Sequence, residues 1–145
     1  MKFRTAIDID ATPATVWRTL TDVESWPKWT ASMTSVERLQ KGELGQGSTA
    51  RVTQPKLKPT VYTVTEYDAG KSFVWEMKAT GVKVSAVHVV EAVGEGHARM
   101  TLGIEQTGAL SGLISLLLGK RTRQYVQMEA EGLKKAAETA KSGTE

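Results

Sequence analysis

The sequence predicts an α+β fold in which one antiparallel sheet is matched to one long helix. Three observations carry this. Residues 109–141 keep apolar side chains at spacings of three and four and read as one amphipathic helix. The chain before them alternates apolar and polar residues in strand-length segments separated by glycine, proline and aspartate turns. Those turns are hairpin-length, so consecutive strands run antiparallel, and helices set apart from such a sheet make an α+β arrangement. A helix of this length spans roughly 50 Å, against a globular average of about 11–12 residues. Its apolar stripe therefore needs a broad partner, and the strands are the candidate. A curved sheet closed by one long helix makes a container, and a container points to a ligand.

The elements follow in order. Phe3, Thr5, Ile7 and Ile9 alternate with Arg4, Ala6, Asp8 and Asp10, the pattern of a half-buried strand. Thr12 is placed to cap a helix with Pro13 at its first position, and Val16, Trp17 and Leu20 share its inner face. A second short helical turn covers 23–29, broken by Pro27, with Trp26 and Trp29 on one face. Six strands follow at 33–39, 48–54, 60–67, 73–79, 82–93 and 98–107. The breaks between them are the glycine-rich 41–47 loop, the Pro55–Pro59 turn, Asp68-Ala69-Gly70-Lys71, Thr80-Gly81 and Gly94-Glu95-Gly96-His97. Gly108 releases the chain into the last helix, and the tail 142–145 is expected to fray.

Bulk properties narrow the function. At 145 residues the chain is expected to form one domain, residues 1–145, large enough for a core without staples. It has no cysteine, which removes disulfide and thiolate chemistry and fits the cytoplasm. The N-terminus reads as a strand rather than a secretory leader. The longest apolar run near the C-terminus, 113–118, is far short of the roughly 20 residues of a membrane span. A net charge of +3 with scattered lysines gives no nucleic-acid-binding stripe. The glycines of 42–47 lack the lysine and following helix of a phosphate loop. Two histidines make no metal site, and no cofactor is expected.

The opening Thr12-Pro13-Ala14-Thr15-Val16-Trp17, leading into Trp26-Pro27-Lys28-Trp29-Thr30, is followed by Val64-Thr65-Glu66-Tyr67-Asp68 and Phe73-Val74-Trp75. His88-Val89-Val90-Glu91 then precedes the Gly94–Gly96 hairpin. In order and spacing, over nearly the whole chain, these resemble the bacterial polyketide cyclase/dehydrase-like (SRPBCC) proteins of the START/Bet v 1-like superfamily. The resemblance implies a helix-grip fold: a seven-stranded curved antiparallel sheet wrapped around the C-terminal helix, with two short helices between strands 1 and 2. It also implies an apolar cavity that binds lipids, polyketides or other hydrophobic small molecules, in a minority of members with cyclisation or dehydration inside.

Alternation gives the inward-facing candidates. Trp29, Tyr62, Trp75, Met77, His88, Met100, Gln106, Tyr125 and Met128 are expected to meet the ligand. The helix stripe is expected to run through Ile114, Leu117, Leu118, Arg121, Tyr125 and Met128. His88 reads either as a core histidine bonded to a neighbouring strand or to Tyr125, or as a polar anchor or general acid/base. Arg51 faces either inward, paired with Glu66 or Glu76, or outward. Arg121 lines the cavity mouth or snorkels to solvent. Glu66, Glu76, Glu91 and Glu105 fall on outward positions, so no inward carboxylate pair is expected. Gly112 and Gly119 weaken the helix start by about 1 kcal/mol each, and its leucines form either an entry gate or a contact surface. Three functions remain open. One is a binder or carrier of a hydrophobic small molecule. The second is a cyclase or dehydratase using His88. The third is an interaction module working through the start of the last helix. The protein is expected to be a monomer or weak homodimer.

Overall fold

The alternating segments form seven strands and the periodic ones form helices, in a computed structural model that describes residues 1–143. The order is β1 (Lys2–Ile9), α1 (Pro13–Thr21), a 3₁₀ helix (Val23–Lys28), β2 (Ser35–Arg38), β3 (Thr49–Thr53), β4 (Thr60–Asp68), β5 (Ser72–Ala79), β6 (Val82–Ala92), β7 (Ala98–Thr107) and α2 (Ser111–Gly143). Thr12 caps α1 through Oγ1, which accepts from the Thr15 amide at 3.2 Å. Of the expected frayed tail, residues 144 and 145 lie outside the described residues, and the helix runs on through Gly143.

The strands form one antiparallel sheet in the order β1-β7-β6-β5-β4-β3-β2. A ten-residue loop between β2 and β3, and shorter turns thereafter, join β2 to β7 as a meander. β1 pairs instead with β7, placing the first strand beside the last. A bulge at Val64/Glu66, between β4 and β5, breaks the register and increases the local twist of the curved sheet. Trp75 lies opposite Val64 on one side and Ala86 on the other, and Ala86 lies opposite Ile104. One residue pair along, Phe73, His88 and Leu102 form the next row, and Val90, Met100 and Ile7 the one beyond. Alternation therefore brings the inward side chains into successive rows across the concave face.

The helix α2 docks by its C-terminal half. Val126, Ala130, Leu133 and Ala137 are buried at spacings of four, three and four. Hydrogen bonds tie the same half to the first strand and the residue after it: Lys134 Nζ donates to the Asp8 carbonyl at 2.8 Å, and Glu138 accepts from the Asp10 amide at 2.8 Å. The expected stripe is rotated. Leu117 is 70% exposed, Arg121 is half-buried, and Met128 is half-buried on the flank, while Thr122, Val126 and Glu129 face inward with Ile114, Leu118 and Tyr125. At about 100° per residue, Leu117, Arg121 and Met128 fall to one side of Ile114 and Thr122 and Val126 to the other. No described helix is long and apolar enough to cross a membrane.

Two glycines are demanded by close approach. Gly108, at φ +110°, carries the chain from β7 into α2 with a Cβ position 2.6 Å from the Gly81 carbonyl oxygen, so any side chain there is strained and obstructed. In α2, a Cβ on Gly132 would collide with the Trp29 carbonyl oxygen and lie 2.8 Å from the Trp29 ring. Gly112, in contrast, has open space around its Cβ position. Helix propensity alone favours alanine at both helical sites by about 1 kcal/mol. We expect Gly112→Ala to raise the melting temperature. Gly132→Ala should lower stability by about 1–3 kcal/mol, as overpacking against backbone does. Denaturant titration of the two variants reads the opposite signs directly.

Candidate functional site

Between the concave face of the sheet and the first half of α2 lies a cavity of about 270 Å³. Its sheet wall is built from the inward rows: Tyr62 on β4, Trp75 and Met77 on β5, Ala86 and His88 on β6, and Leu102, Ile104 and Gln106 on β7. The helix supplies Ile114, Leu118, Tyr125, Val126 and Glu129. Trp26 and Met33 contribute from the segment between β1 and β3, and the β3–β4 turn adds Leu57 and Lys58. The wall is mostly apolar and aromatic. The Trp75 ring lies 5.4 Å from Tyr62 and 5.3 Å from Trp26 between centroids.

His88 is 3% exposed. Its ring stacks on Phe73, the residue opposite it in the register, at 4.1 Å and 12°. Nδ1 lies 3.2 Å from the Phe73 carbonyl oxygen. A carbonyl can only accept, so Nδ1 carries the proton and donates, leaving Nε2 with a lone pair and no partner among the described residues. Burial pushes the imidazole down to about 4, outweighing the opposing effect of the Phe73 carbonyl. His88 is thus a neutral acceptor near neutral pH.

Glu129 is the one carboxyl on the cavity wall among the described residues. Burial pushes it up to about 8, against the Ser32 hydroxyl, which favours the ionised form. Ser32 is fully buried. It shares a 2.7 Å hydrogen bond with Thr30 Oγ1, and its carbonyl accepts from Gln54 Nε2 at 3.2 Å. Burial and the neighbouring Glu129 hold the Tyr62 phenol up at about 12, so it stays protonated. Its hydroxyl has no hydrogen-bond partner among the described residues. The cavity therefore combines an apolar body with three neutral polar groups, a carboxylic acid, a phenol and an imidazole nitrogen, and has the exposed Lys58 at its edge. Among the described residues no three His, Asp or Glu side chains come together as metal ligands would.

Of the residues expected at the ligand, Tyr62, Trp75, Met77, His88, Gln106 and Tyr125 line the cavity. Trp29, Met100 and Met128 do not. Met100 belongs to the row with Val90 and Ile7, where α1 packs on β6 and β7 and leaves no space. Trp29 sits behind Trp26, 5.8 Å between ring centroids, against Gly132 of α2. Met128 lies on the flank of the helix, turned away by the helical period. Two polar candidates are already committed within the protein. Tyr125 donates its hydroxyl to the Pro55 carbonyl at 2.7 Å rather than to His88, and Gln106 Oε1 accepts from Ser115 Oγ at 3.1 Å. Arg51 points outward, 3.2 Å from Glu37, its partner across β2 and β3, and pairs with neither Glu66 nor Glu76.

Sequence reasoning missed Trp26, Gln54 and Glu129 as wall residues. Glu129 had one signal: it follows Tyr125 by four, on the stripe through Ile114 and Leu118. A glutamate in a polar helical stretch otherwise reads as solvent-facing.

The same architecture occurs in solved structures. A hypothetical protein, jhp0584, from Helicobacter pylori superposes with a TM-score of 0.81 at 14% identity, covering 94% of this chain and 88% of that one. The Zhui aromatase/cyclase from Streptomyces sp. R1128 gives 0.77 at 15% identity, with 95% and 93% covered. A START superfamily protein from Mycobacterium smegmatis gives 0.74 at 14%, with 96% and 98% covered. Identities this low establish a shared fold and no more. Among curated protein sequences none matches. The family model described as polyketide cyclase / dehydrase and lipid transport matches residues 1–138. A match over that span, on a helix-grip fold with its interior cavity, shows that the chain belongs to this polyketide cyclase/dehydrase and lipid transport family.

Proposed function

We propose that the protein binds, and by binding carries, a small and largely apolar molecule with one polar end. The observation behind this reading is the cavity: about 270 Å³, walled by aromatic and aliphatic side chains, with Glu129, Tyr62 and His88 on its surface. Apolar cavities of about 150 Å³ already take up a benzene, so this space suits a ligand of more than one ring or an equivalent chain. Affinity comes chiefly from apolar burial, at about 25 cal/mol per Å². The polar groups orient the ligand. All three are uncharged near neutral pH and suit a hydroxyl, carbonyl or phenol deep in the cavity, while the exposed Lys58 at its edge is the group suited to an anionic end.

A second reading is an enzyme of the cyclase or dehydratase type. One observation favours it: Glu129, held near 8, is a carboxylic acid that gains and loses a proton close to neutrality. In that reading Glu129 replaces His88 as the acid/base, because a histidine pushed down to about 4 is uncharged at neutral pH, where its Nε2 has no proton to give and is only a weak base. A Glu129→Gln variant that keeps ligand affinity and loses turnover is the result that supports the enzyme.

Ala86 lies in the middle of the sheet wall. An Ala86→Trp variant is expected to fill the space and to lower the affinity of the neutral dye N-phenyl-1-naphthylamine, followed by fluorescence, by at least about tenfold. Its thermal transition should stay cooperative. Undiminished dye binding in a folded variant removes the cavity from the proposal.

Stability should also report Glu129. Its folded-state value, about 8, lies above the ordinary 4.5. Between these the folded protein holds a proton that the unfolded chain has released, so stability falls as pH rises from about 4.5 and the loss is complete above about 8. Glu129→Gln removes that loss. Its stability advantage over the parent should grow across this window to the order of 1–3 kcal/mol. His88 acts in the opposite direction: its folded value, about 4, lies below 6.5, so its contribution is lost as pH falls from 6.5 through 4. Chemical denaturation of parent and variant at stepped pH checks both signs.

A further inference from the structure

The first turns of α2 are apolar on two opposite sides. Ile114 and Leu118 face the cavity. On the other side Leu113, Leu116 and Leu117 stand in solvent, 55, 82 and 70% exposed. Leu110, 43% exposed, extends the surface to the β5–β6 hairpin, where its amide donates to the Gly81 carbonyl at 2.8 Å. A helix apolar on all sides is ordinarily covered on all sides. Leucines at positions i, i+3 and i+4 are neighbours and form one patch, unlike the single apolar residues scattered over any surface.

Charge identifies what covers the patch. At about 100° per residue, Lys120 and Arg123 continue the face that carries Leu113, Leu116 and Leu117, and Arg121 lies beside them. The chain has no acidic residue between Glu105 and Glu129. The hairpin next to Leu110 carries Lys78 and Lys83 against a single carboxylate, Glu76, which pairs with Lys83 at 3.4 Å. A second copy docked through this face about a two-fold axis would bring the same cations together with no acid in the patch to receive them. An anionic bilayer matches both halves of the pattern: leucines enter below the headgroups while lysine and arginine sit at the phosphate level.

We infer that the solvent face of the first turns of α2, Leu113, Leu116 and Leu117 followed by Lys120 and Arg123, docks the protein peripherally on an anionic lipid surface. No part of the chain spans the bilayer in this arrangement. The docked turns are the ones whose other side walls the cavity, so contact with lipid places the interior one helix thickness from the membrane. The docking surface stands independently of what the cavity binds.

The test is vesicle co-sedimentation of the full chain. Vesicles of phosphatidylcholine containing phosphatidylglycerol are compared with vesicles of phosphatidylcholine alone, at low and high salt. Partition onto the phosphatidylglycerol vesicles is expected to exceed that onto phosphatidylcholine by about tenfold or more and to weaken with salt. Leu116→Ser/Leu117→Ser and Lys120→Glu/Arg123→Glu should each lower it by about tenfold. None of these side chains lines the cavity, so melting temperature and N-phenyl-1-naphthylamine binding should be unchanged and confirm the fold. Equal partition onto the two vesicle types, or partition untouched by either double variant, overturns the inference. So does a parent protein that ignores vesicles but forms a dimer in sedimentation that Leu116→Ser/Leu117→Ser dissolves: the patch is then a contact between copies.

Discussion

The long helix is held tightly at one end and stands off the sheet at the other, and the interior of the protein depends on that difference. Over its C-terminal half, small residues let α2 sink onto its neighbours. Ala130 and Ala137 are buried, and Gly132 admits the Trp29 backbone where a methyl group has no room. Leu133 seals the contact, and Lys134 and Glu138 fasten this half to β1 and the residue after it. Toward its N-terminus the helix is secured instead by longer-reaching groups: Tyr125 to Pro55, Ser115 to Gln106 and the Leu110 amide to Gly81. These bonds position α2 without drawing its apolar side onto the concave sheet. The gap between Ile114 or Leu118 and the rows of β5 to β7 is the cavity.

His88, Glu129 and Tyr62 act in that gap by being uncharged. Removed from water, ionised groups lose hydration that only a partner of opposite sign restores, and an unpaired group moves its titration to avoid the charge. His88 goes down, Glu129 and Tyr62 go up, and all three end neutral near pH 7. Each keeps a hydrogen-bonding function. Close to neutrality only Glu129 changes charge readily, so the site's response to pH belongs to a helix residue rather than to its histidine.

The same stand-off leaves the solvent side of the helix start uncovered. Where α2 sinks onto the sheet, its outer surface is polar. Where it stands away, its outer surface is leucine followed by lysine and arginine. Cavity wall and exposed patch are thus two faces of the same turns, and substitutions that change one can spare the other because their side chains point in opposite directions.

By itself the sequence determined everything that depends on local period. Alternation in β4 to β7 assigned Tyr62, Trp75, Met77, His88 and Gln106 to the inner face, because successive side chains in a strand must point to opposite sides. Thr12-Pro13 set the start of α1, and Gly108 the turn into α2, because few other residues suit those backbone positions. Tertiary structure decided how far apart the layers lie and which arc of the helix faces them. Those choices closed the row of Met100 beneath α1 and opened the rows of His88, Trp75 and Met77. They turned Leu117 and Met128 aside, and they brought Glu129 to Tyr62 and Ser32. A helical pattern spaced at three and four leaves the inward arc uncertain by tens of degrees. Only contact between residues distant in sequence, above all Gly132 with Trp29 and Tyr125 with Pro55, selects one rotation and leaves a hollow beside it.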